Sequence, residues 1–428
     1  MEKEIIKKFD EIEEKIINYR RDFHKYAEVG WTEYRTSSIV AKTLEDLGYE
    51  VKIGKDVVKS EDRMGLPEEE DLKNHWQRAK DQGGVEKYLN DMKYGLTGVV
   101  GIIENGEGPT KAFRFDMDAL PIHESDEENH FPAKEGFNSV NDGVMHACGH
   151  DVHTAVGLGV AEILAENKQK INGKIKLIFQ PAEEGVRGAK SIVTNGVLDD
   201  VDKVIGHHVM GFNVGQISSG LSEYKATKKF DVTIKGKPAH AGGNPQDGNN
   251  ALLAASTAVL NLYSISRHKD GETRINVGML NSGTGRNIIP DKAVLIAETR
   301  GSTSEISQYM YEKAEKIIKN SCAMHDCSYY IKAMGEALSG KSDDEMMKVV
   351  EKTAKEIGGY ELVDEHKSGG SEDFTYMMAK VQENGGKAVN IGIGADSIGS
   401  GAHSHDFDIN EKAIKKAVVL LSTLALNK

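Results

Sequence analysis

Only three cysteines, Cys148, Cys322 and Cys327, occur among the 428 residues. So sparse and odd a set does not make a disulfide framework. It fits a reducing, cytoplasmic compartment, which a thiol serving as a metal ligand would also need. Positive charge is scarce as well: 54 Lys and Arg stand against 67 Asp and Glu, a formal net charge of −13. Such a surface repels phosphate backbones and anionic membranes, so nucleic acid is not an expected partner. A local basic pocket for an acidic substrate is compatible with it. No apolar run approaches the roughly 20 residues of a membrane span, and Met1-Glu2-Lys3-Glu4 lacks the basic-then-apolar layout of a signal peptide. Internal repeats and low-complexity tracts are missing. Gly392-Ile393-Gly394-Ala395-Asp396 does not complete a dinucleotide fingerprint, and the zinc-deaminase signature is absent.

What is present is a soluble, globular composition, 39% hydrophobic and 28% charged, in a chain too long for one ordinary core. Residues 3–26 have apolar side chains near helical spacing, and a second helix is expected over 36–47, closed by Gly48. A short strand follows at 49–53. Residues 55–94 are polar and read as a helical insertion, with Trp76, Tyr88 and Leu89 as packing residues. Strands at 111–115, 174–179 and 203–209, with a helix at 152–165 between the first two, then point to an α/β layered sheet. The chemically interesting groups fall at the C-terminal ends of those strands, where open α/β sheets bind ligands. From about Leu221 the pattern changes: strands at 230–235, 273–280 and 293–300 alternate with helices at 249–264 and 303–321, an α+β sandwich. The expected division is 1–221 with 335–428 as one domain, carrying the insertion, and 222–334 as a smaller inserted one.

The chemistry concentrates in Met145-His146-Ala147-Cys148-Gly149-His150-Asp151-Val152-His153, which places one thiol, three imidazoles and a carboxylate within nine residues. Thiolate and imidazole suit transition metals. Cys148 and His150, two apart in a loop before a helix expected to start near Asp151, can point at one site, and a helix N-terminus favours the thiolate. Glu183-Glu184 follow about thirty residues later; in an extended segment they would point opposite ways, one to metal and one to water. The bland alternatives, a structural cysteine and a solvated acidic turn, fit the joint pattern less well. His207-His208 end an apolar strand, so one should face the site. His403 and His405 in Gly401-Ala402-His403-Ser404-His405-Asp406 are further candidates. By itself, His240 in Pro238-Ala239-His240-Ala241 reads as an exposed loop histidine. Cys322, His325 and Cys327 look like a metal motif, but positions i and i+5 near a helix end diverge around the axis.

Arg114-Phe115-Asp116-Met117-Asp118-Ala119-Leu120-Pro121, the His/Cys segment and Gln180-Pro181-Ala182-Glu183-Glu184-Gly185 together resemble the metal-dependent amidohydrolases of the aminoacylase/carboxypeptidase type. Within these the chain is similar to the hippurate and indole-acetyl-amino-acid hydrolase subfamily. The likeness extends over essentially the full length, including Arg20-Arg21-Asp22-Phe23-His24, Pro238-Ala239-His240-Ala241, Arg286-Asn287-Ile288-Ile289-Pro290 and Gly370-Ser371-Glu372-Asp373-Phe374. Ala27-Glu28-Val29-Gly30 in place of the usual P-E-L-G, and an insertion over 55–97 containing Ser60-Glu61-Asp62-Arg63-Met64-Gly65-Leu66-Pro67, resemble the branch acting on p-aminobenzoyl-glutamate.

The resemblance implies a layered mixed-sheet catalytic domain of zinc-peptidase type with an inserted lid and dimerisation domain. It implies two divalent ions, Mn²⁺ or Zn²⁺, on Cys148, His150, Glu184, His208 and His403, with Glu183 as general base. His240, from a partner subunit, would stabilise the oxyanion. Asp116 and Asp151 are candidate orienters of ligand imidazoles, and Asn287 and Arg300 candidate holders of the substrate carboxylate. The expected activity is hydrolysis of an N-acyl amino acid by a homodimer or a heterodimer with a homologous subunit. Hippurate, another acyl conjugate, or a non-catalytic role in a heteromeric hydrolase are the alternatives.

Overall fold

A computed structural model describes residues 2–364, 366–367 and 369–427. The chain forms two compact units, Met1–Ser222 with Lys341–Ser368 and Asp373–Lys428, and Glu223–Gly340 with Gly369–Glu372.

The first unit is built on an eight-stranded mixed sheet. Its strands run, edge to edge, Glu50–Ile53, Val99–Asn105, Gly173–Gln180, Thr110–Asp116, Lys203–Met210, Lys387–Gly394, Gln216–Ser218 and Glu361–Val363. The four central strands are parallel, and both outer pairs bring in antiparallel neighbours. Thr110–Asp116 is buried along its whole length, as expected of a parallel strand covered on both faces. One face carries the helices Glu2–Lys25, His150–Glu166 and Lys412–Leu426 over a core that includes Phe9, Ile16, Phe115, Val156, Phe179 and Leu420. The other face carries the short helix Ala189–Thr194 and the helix Thr375–Glu383, over Ile178, Val204, Phe374 and Met378.

The insertion is less helical than its composition suggests. It holds two single 3₁₀ turns, Gly54–Asp56 and Ser60–Asp62, and the helices Glu69–Asp81 and Glu86–Leu89. Tyr88 and Leu89 are buried in the main core, and Trp76 packs beside them, donating from Nε1 to Leu89 O at 2.8 Å. Val99–Asn105, absent from the sequence reading, is a strand buried at Val99–Gly101 and Ile103 and exposed at its last two residues.

Charge is also buried in this unit. The Arg20 guanidinium, 1% exposed, binds Asp151 at 2.8 Å, Asp408 and Glu411. His24 lies between Asp151 Oδ2 and Glu124 Oε1, each at 2.8 Å. Burial opposes the imidazolium, but the two carboxylates outweigh it and raise His24 to about 9. Burial likewise opposes the Glu124 carboxylate, and His130 and His24 lower it to about 2. The His24 contribution is therefore complete below pH 6.5 and lost as pH rises through 9. Glu124 contributes fully above pH 4.5 and loses that as pH falls through 2. The difference in urea midpoint between wild type and His24→Gln should shrink from about pH 6.5 to about 9.5; a difference that stays level over that range contradicts the buried imidazolium.

The second unit is a four-stranded antiparallel sheet, ordered Ser328–Ala337, Ala226–Lys235, Lys292–Gly301, Thr273–Ser282. The strand Ser328–Ala337 runs across position 334. The helices Ala251–Leu262 and Ser304–Ala323 cover one face, closing over Phe230, Val232, Ile234, Leu295, Ala258 and Ile318. Lys292–Gly301 alternates buried and more exposed residues, the period-2 pattern of a strand covered on one face. Cys322 is buried in the second helix, Cys327 bonds to His325 O, and His325 Nε2 meets Thr257 Oγ1 at 3.1 Å. They do not converge as ligands among the described residues.

Candidate active site

The site lies at the C-terminal ends of the parallel strands of the first unit. Cys148 precedes the helix His150–Glu166, whose N-cap Gly149 has φ +87°. A side chain there would strain the backbone and place its Cβ 2.4 Å from Val209 Cγ2, so glycine is needed for the loop to press against the Lys203–Met210 strand. That helix starts at His150, one residue before the expected position.

Glu183 and Glu184 are not in an extended segment. They sit on a tight turn in which Ala182 and Val186 have φ of +52° and +61°. The reason is a buried carboxylate: Asp118 accepts the Glu183 N–H on Oδ1 and the Glu184 N–H on Oδ2, both at 2.9 Å. Two adjacent amides thus point one way, and both side chains reach the same cluster. Asp118 was visible in the sequence only as a strand-end acid; its partners are backbone amides that no residue pattern reveals.

The expected ligands come together in overlapping triplets, within each of which the ligating atoms lie no more than 4.8 Å apart: Cys148–His150–His208, Cys148–Glu184–His403 and His150–Glu183–Glu184, with Asp116–His150–His153 beside them. His208 Nε2 is 3.6 Å from Cys148 Sγ. Its Nδ1 donates to Val209 O at 2.6 Å, which turns Nε2 toward the cluster. His150 is oriented in the same way, with Nδ1 donating to Asp118 O at 2.8 Å. His150 Nε2 and Glu184 Oε1 are buried without a hydrogen-bond partner. Glu184 Oε1 and His403 Nε2 are 3.5 Å apart, an ion-pair separation. Converging sulfur, nitrogen and oxygen donors, with His150 Nε2 and Glu184 Oε1 unsatisfied, fit divalent metal.

Electrostatics agree with that fit. Burial works against the Cys148 thiolate, but His208 beside it outweighs this and lowers the thiol to about 6. Burial also disfavours charge on His208, yet Cys148 raises it to about 9. The neighbouring Cys148 and Glu184 raise His403 to about 10. Protons thus occupy the positions that a cation would take.

The remaining candidates are placed as follows. His207, on the opposite side of its strand from His208, is buried against Phe115 and His153. Asp116 binds His153 Nδ1 and the Arg114 guanidinium, and stands 3.9 Å from His150 Nε2. His153 Nε2 accepts the Val209 N–H at 3.0 Å, so Asp116 acts, through His153, on the residue whose carbonyl orients His208. Asp151 does not reach a ligand imidazole: on the first turn of its helix it faces Arg20 and His24. His405 is exposed and belongs to none of the triplets. In the second unit, His240 is exposed and its Nδ1 accepts the N–H groups of Gly242 and Gly243 at 3.1 and 2.9 Å. With Nδ1 accepting, Nε2 is the ring's donor. Asn287 is exposed, and its carbonyl accepts the Ala241 N–H. The Arg300 fork is already engaged by both oxygens of Glu298, at 2.9 and 3.1 Å.

Comparison with known proteins gives this arrangement its context. The model of peptidase family M20/M25/M40 matches residues 112–427. The chain belongs to this family. Among M20 relatives, it is 44% identical to an indole-3-acetyl-aspartic acid hydrolase of Enterobacter agglomerans, over 96% of this chain and 94% of that protein. It is 42% identical to one subunit of the p-aminobenzoyl-glutamate hydrolase of Escherichia coli (strain K12), over 96% and 95%. A crystal structure of an aminobenzoyl-glutamate utilization protein from Klebsiella pneumoniae superposes with TM-score 0.86 at 39% identity, covering 98% of this chain and 97% of that one. The same fold occurs, at 24% identity and TM-score 0.66 over 97% and 98%, in a dinuclear metal binding M20 peptidase of Bacillus subtilis. The protein is thus an M20 hydrolase of the amidohydrolase and metallopeptidase kind. Among the described residues no helix is long and apolar enough to cross a membrane.

Proposed function

We propose that the chain hydrolyses the amide bond of N-acyl amino acids in which an aromatic acyl group is joined to an acidic amino acid, with p-aminobenzoyl-glutamate, giving p-aminobenzoate and glutamate, as the leading substrate. The observation that carries this is the near full-length identity to two hydrolases, one named for indole-3-acetyl-aspartate and one for p-aminobenzoyl-glutamate. Their substrates share an aromatic acyl half and a dicarboxylic leaving group.

Cys148, His150, Glu184, His208 and His403 would hold two divalent ions, Mn²⁺ or Zn²⁺. When bound, these supply Lewis acidity at the scissile carbonyl and its attacking water. Glu183 accepts a proton from that water as oxygen adds to the carbonyl carbon, and returns it to the amine nitrogen as the C–N bond breaks. His240, contributed by a second chain, is assigned the oxyanion, for which a fixed Nε2–H is the right donor. Asn287 is assigned to the substrate carboxylate. Arg300 would join it only by exchanging Glu298 for the substrate.

Association with a second protein chain, identical or homologous, is supported by the surface of the smaller unit. Leu253, Leu260, Tyr263 and Met279 are 50%, 75%, 54% and 41% exposed on one helix and its end and on the edge strand Thr273–Ser282, an apolar concentration of the kind that marks interfaces. The thiol ligand supports a reducing, cytoplasmic location.

The test is a panel of p-aminobenzoyl-glutamate, indole-3-acetyl-aspartate, hippurate and N-acetyl-glutamate, compared by kcat/KM before and after chelation. The aromatic-acidic pair should exceed the others by at least about tenfold, with activity lost to chelator and restored by Mn²⁺ or Zn²⁺. Preference for hippurate would shift the substrate class. Metal-loaded protein that turns over none of them alone would make this chain the partner of a separate catalytic chain.

A further inference from the structure

The 55–97 insertion touches the turn that carries Glu183 and Glu184 at both of its ends. Near its start, Arg187 joins the two: Nε donates to Glu184 O at 2.7 Å and a terminal nitrogen to Gly65 O at 3.2 Å. Gly65 is fixed in turn because Trp31, fully buried with φ +70°, donates from Nε1 to the neighbouring Met64 O at 2.7 Å. At the insertion's end, Thr97 Oγ1 donates to Glu33 Oε2 at 2.7 Å, and Glu33 Oε1 accepts the Ala182 N–H at 2.8 Å. Glu33 and Thr97 are fully buried. Apolar packing runs the same way, since Val57, Val58 and Leu96 share one core cluster with Trp31 and Ala182. Space for this assembly comes from Gly30, where a Cβ would lie 2.3 Å from an Arg187 nitrogen and 3.0 Å from Ala182 Cα.

We propose that the insertion is a buttress for the Glu183–Glu184 turn, acting through Arg187 and Glu33 as positioning residues. Together with Asp118, Glu33 engages three successive backbone amides, 182 to 184, on buried carboxyl oxygens. Arg187 holds the carbonyl at the far end of the same turn. A turn with two non-glycine residues at positive φ is strained and keeps its shape only when its surroundings over-determine it. The peptides that point Glu183 and Glu184 into the cluster thus depend on contacts outside the cluster.

The inference rests on the base and ligand roles proposed above, so its test reads backbone order as well as turnover. Arg187→Met and Glu33→Ala are compared with Glu33→Gln, whose amide oxygen still accepts the Ala182 N–H, and with Thr97→Val. Hydrogen exchange over residues 181–188 should rise in Arg187→Met and Glu33→Ala in metal-free protein, and stay near wild type in Glu33→Gln. With metal stoichiometry held at the wild-type value, kcat should fall by about 10²-fold in the first two, as expected for displacement of a reacting group by about 1 Å, with KM changed less than kcat. Wild-type exchange and kcat in Arg187→Met and Glu33→Ala would overturn the buttress, as would a loss of activity that follows folded fraction alone. Should Glu33→Ala not fold, Arg187→Met and Thr97→Val carry the same comparison. Normal turnover by Glu183→Gln would remove the base assignment and leave the exchange result standing.

Discussion

Glu183→Gln is expected to retain metal at wild-type stoichiometry and to lose about 10²–10⁴-fold in kcat, the range that a positioned general base supplies. The geometry isolates the proton-accepting function. Glutamine has the same shape, so the hydrogen bond from the residue 183 amide to Asp118 Oδ1 survives. Glu183 Oε2 lies 3.9 Å from His150 Nε2, close to the ligand cluster. Glu184→Gln is the contrasting variant: Glu184 shares a triplet with Cys148 and His403, so its replacement should lower metal content first and turnover as a consequence. Elemental analysis beside steady-state kinetics separates the two. Near-normal kcat in fully loaded Glu183→Gln would place the base elsewhere.

Arg20→Met is expected to cost about 3–5 kcal/mol of stability, the usual cost of leaving buried charge without its partner. Asp151, Asp408 and Glu411 converge on this one guanidinium, and Asp151 and Asp408 are themselves 1% exposed. Methionine fills much of the volume of the arginine stem, so the loss reports charge rather than a cavity. The measurement is the urea midpoint and slope at about pH 7. It should be partly restored as pH falls toward about 4, where the stranded carboxylates take up protons. A shift below about 1 kcal/mol, the level of an exposed ion pair, would mean that water reaches this network.

Much of the site was legible because its chemistry is dense along the chain. Cys148 and His150 are two residues apart, and both fall where a loop gives way to a helix. His403 and His208 could be singled out only by the resemblance, since spacing treats His405 and His207 as their equals. The structure separates each pair by a local cause: alternation along the Lys203–Met210 strand for His207 and His208, and, for the two exposed histidines, the approach of His403 alone to Cys148 and Glu184. The main helices and central strands were readable from periodicity, because their burial patterns are regular. The arrangement of the Glu183–Glu184 turn was not, since it depends on Asp118, 65 residues earlier, accepting backbone amides rather than facing another side chain. The insertion escaped for a related reason. Its two 3₁₀ turns and its contacts through Met64 O and Gly65 O are backbone features, and side-chain patterns carry little information about them.

The central sheet is completed by residues that come late in the chain. Lys203–Met210 pairs with Lys387–Gly394, and the helix Glu2–Lys25 packs on Lys412–Leu426. On a ribosome, a polypeptide that has emerged only through residue 340 has nearly all of its smaller unit, while the larger one still has an open strand edge and an uncovered apolar helix. Such edges invite wrong pairings, and contacts this distant in sequence form slowly. The strand Lys387–Gly394 and the helix Lys412–Leu426 therefore set the interval during which that edge and that helix face stay uncovered.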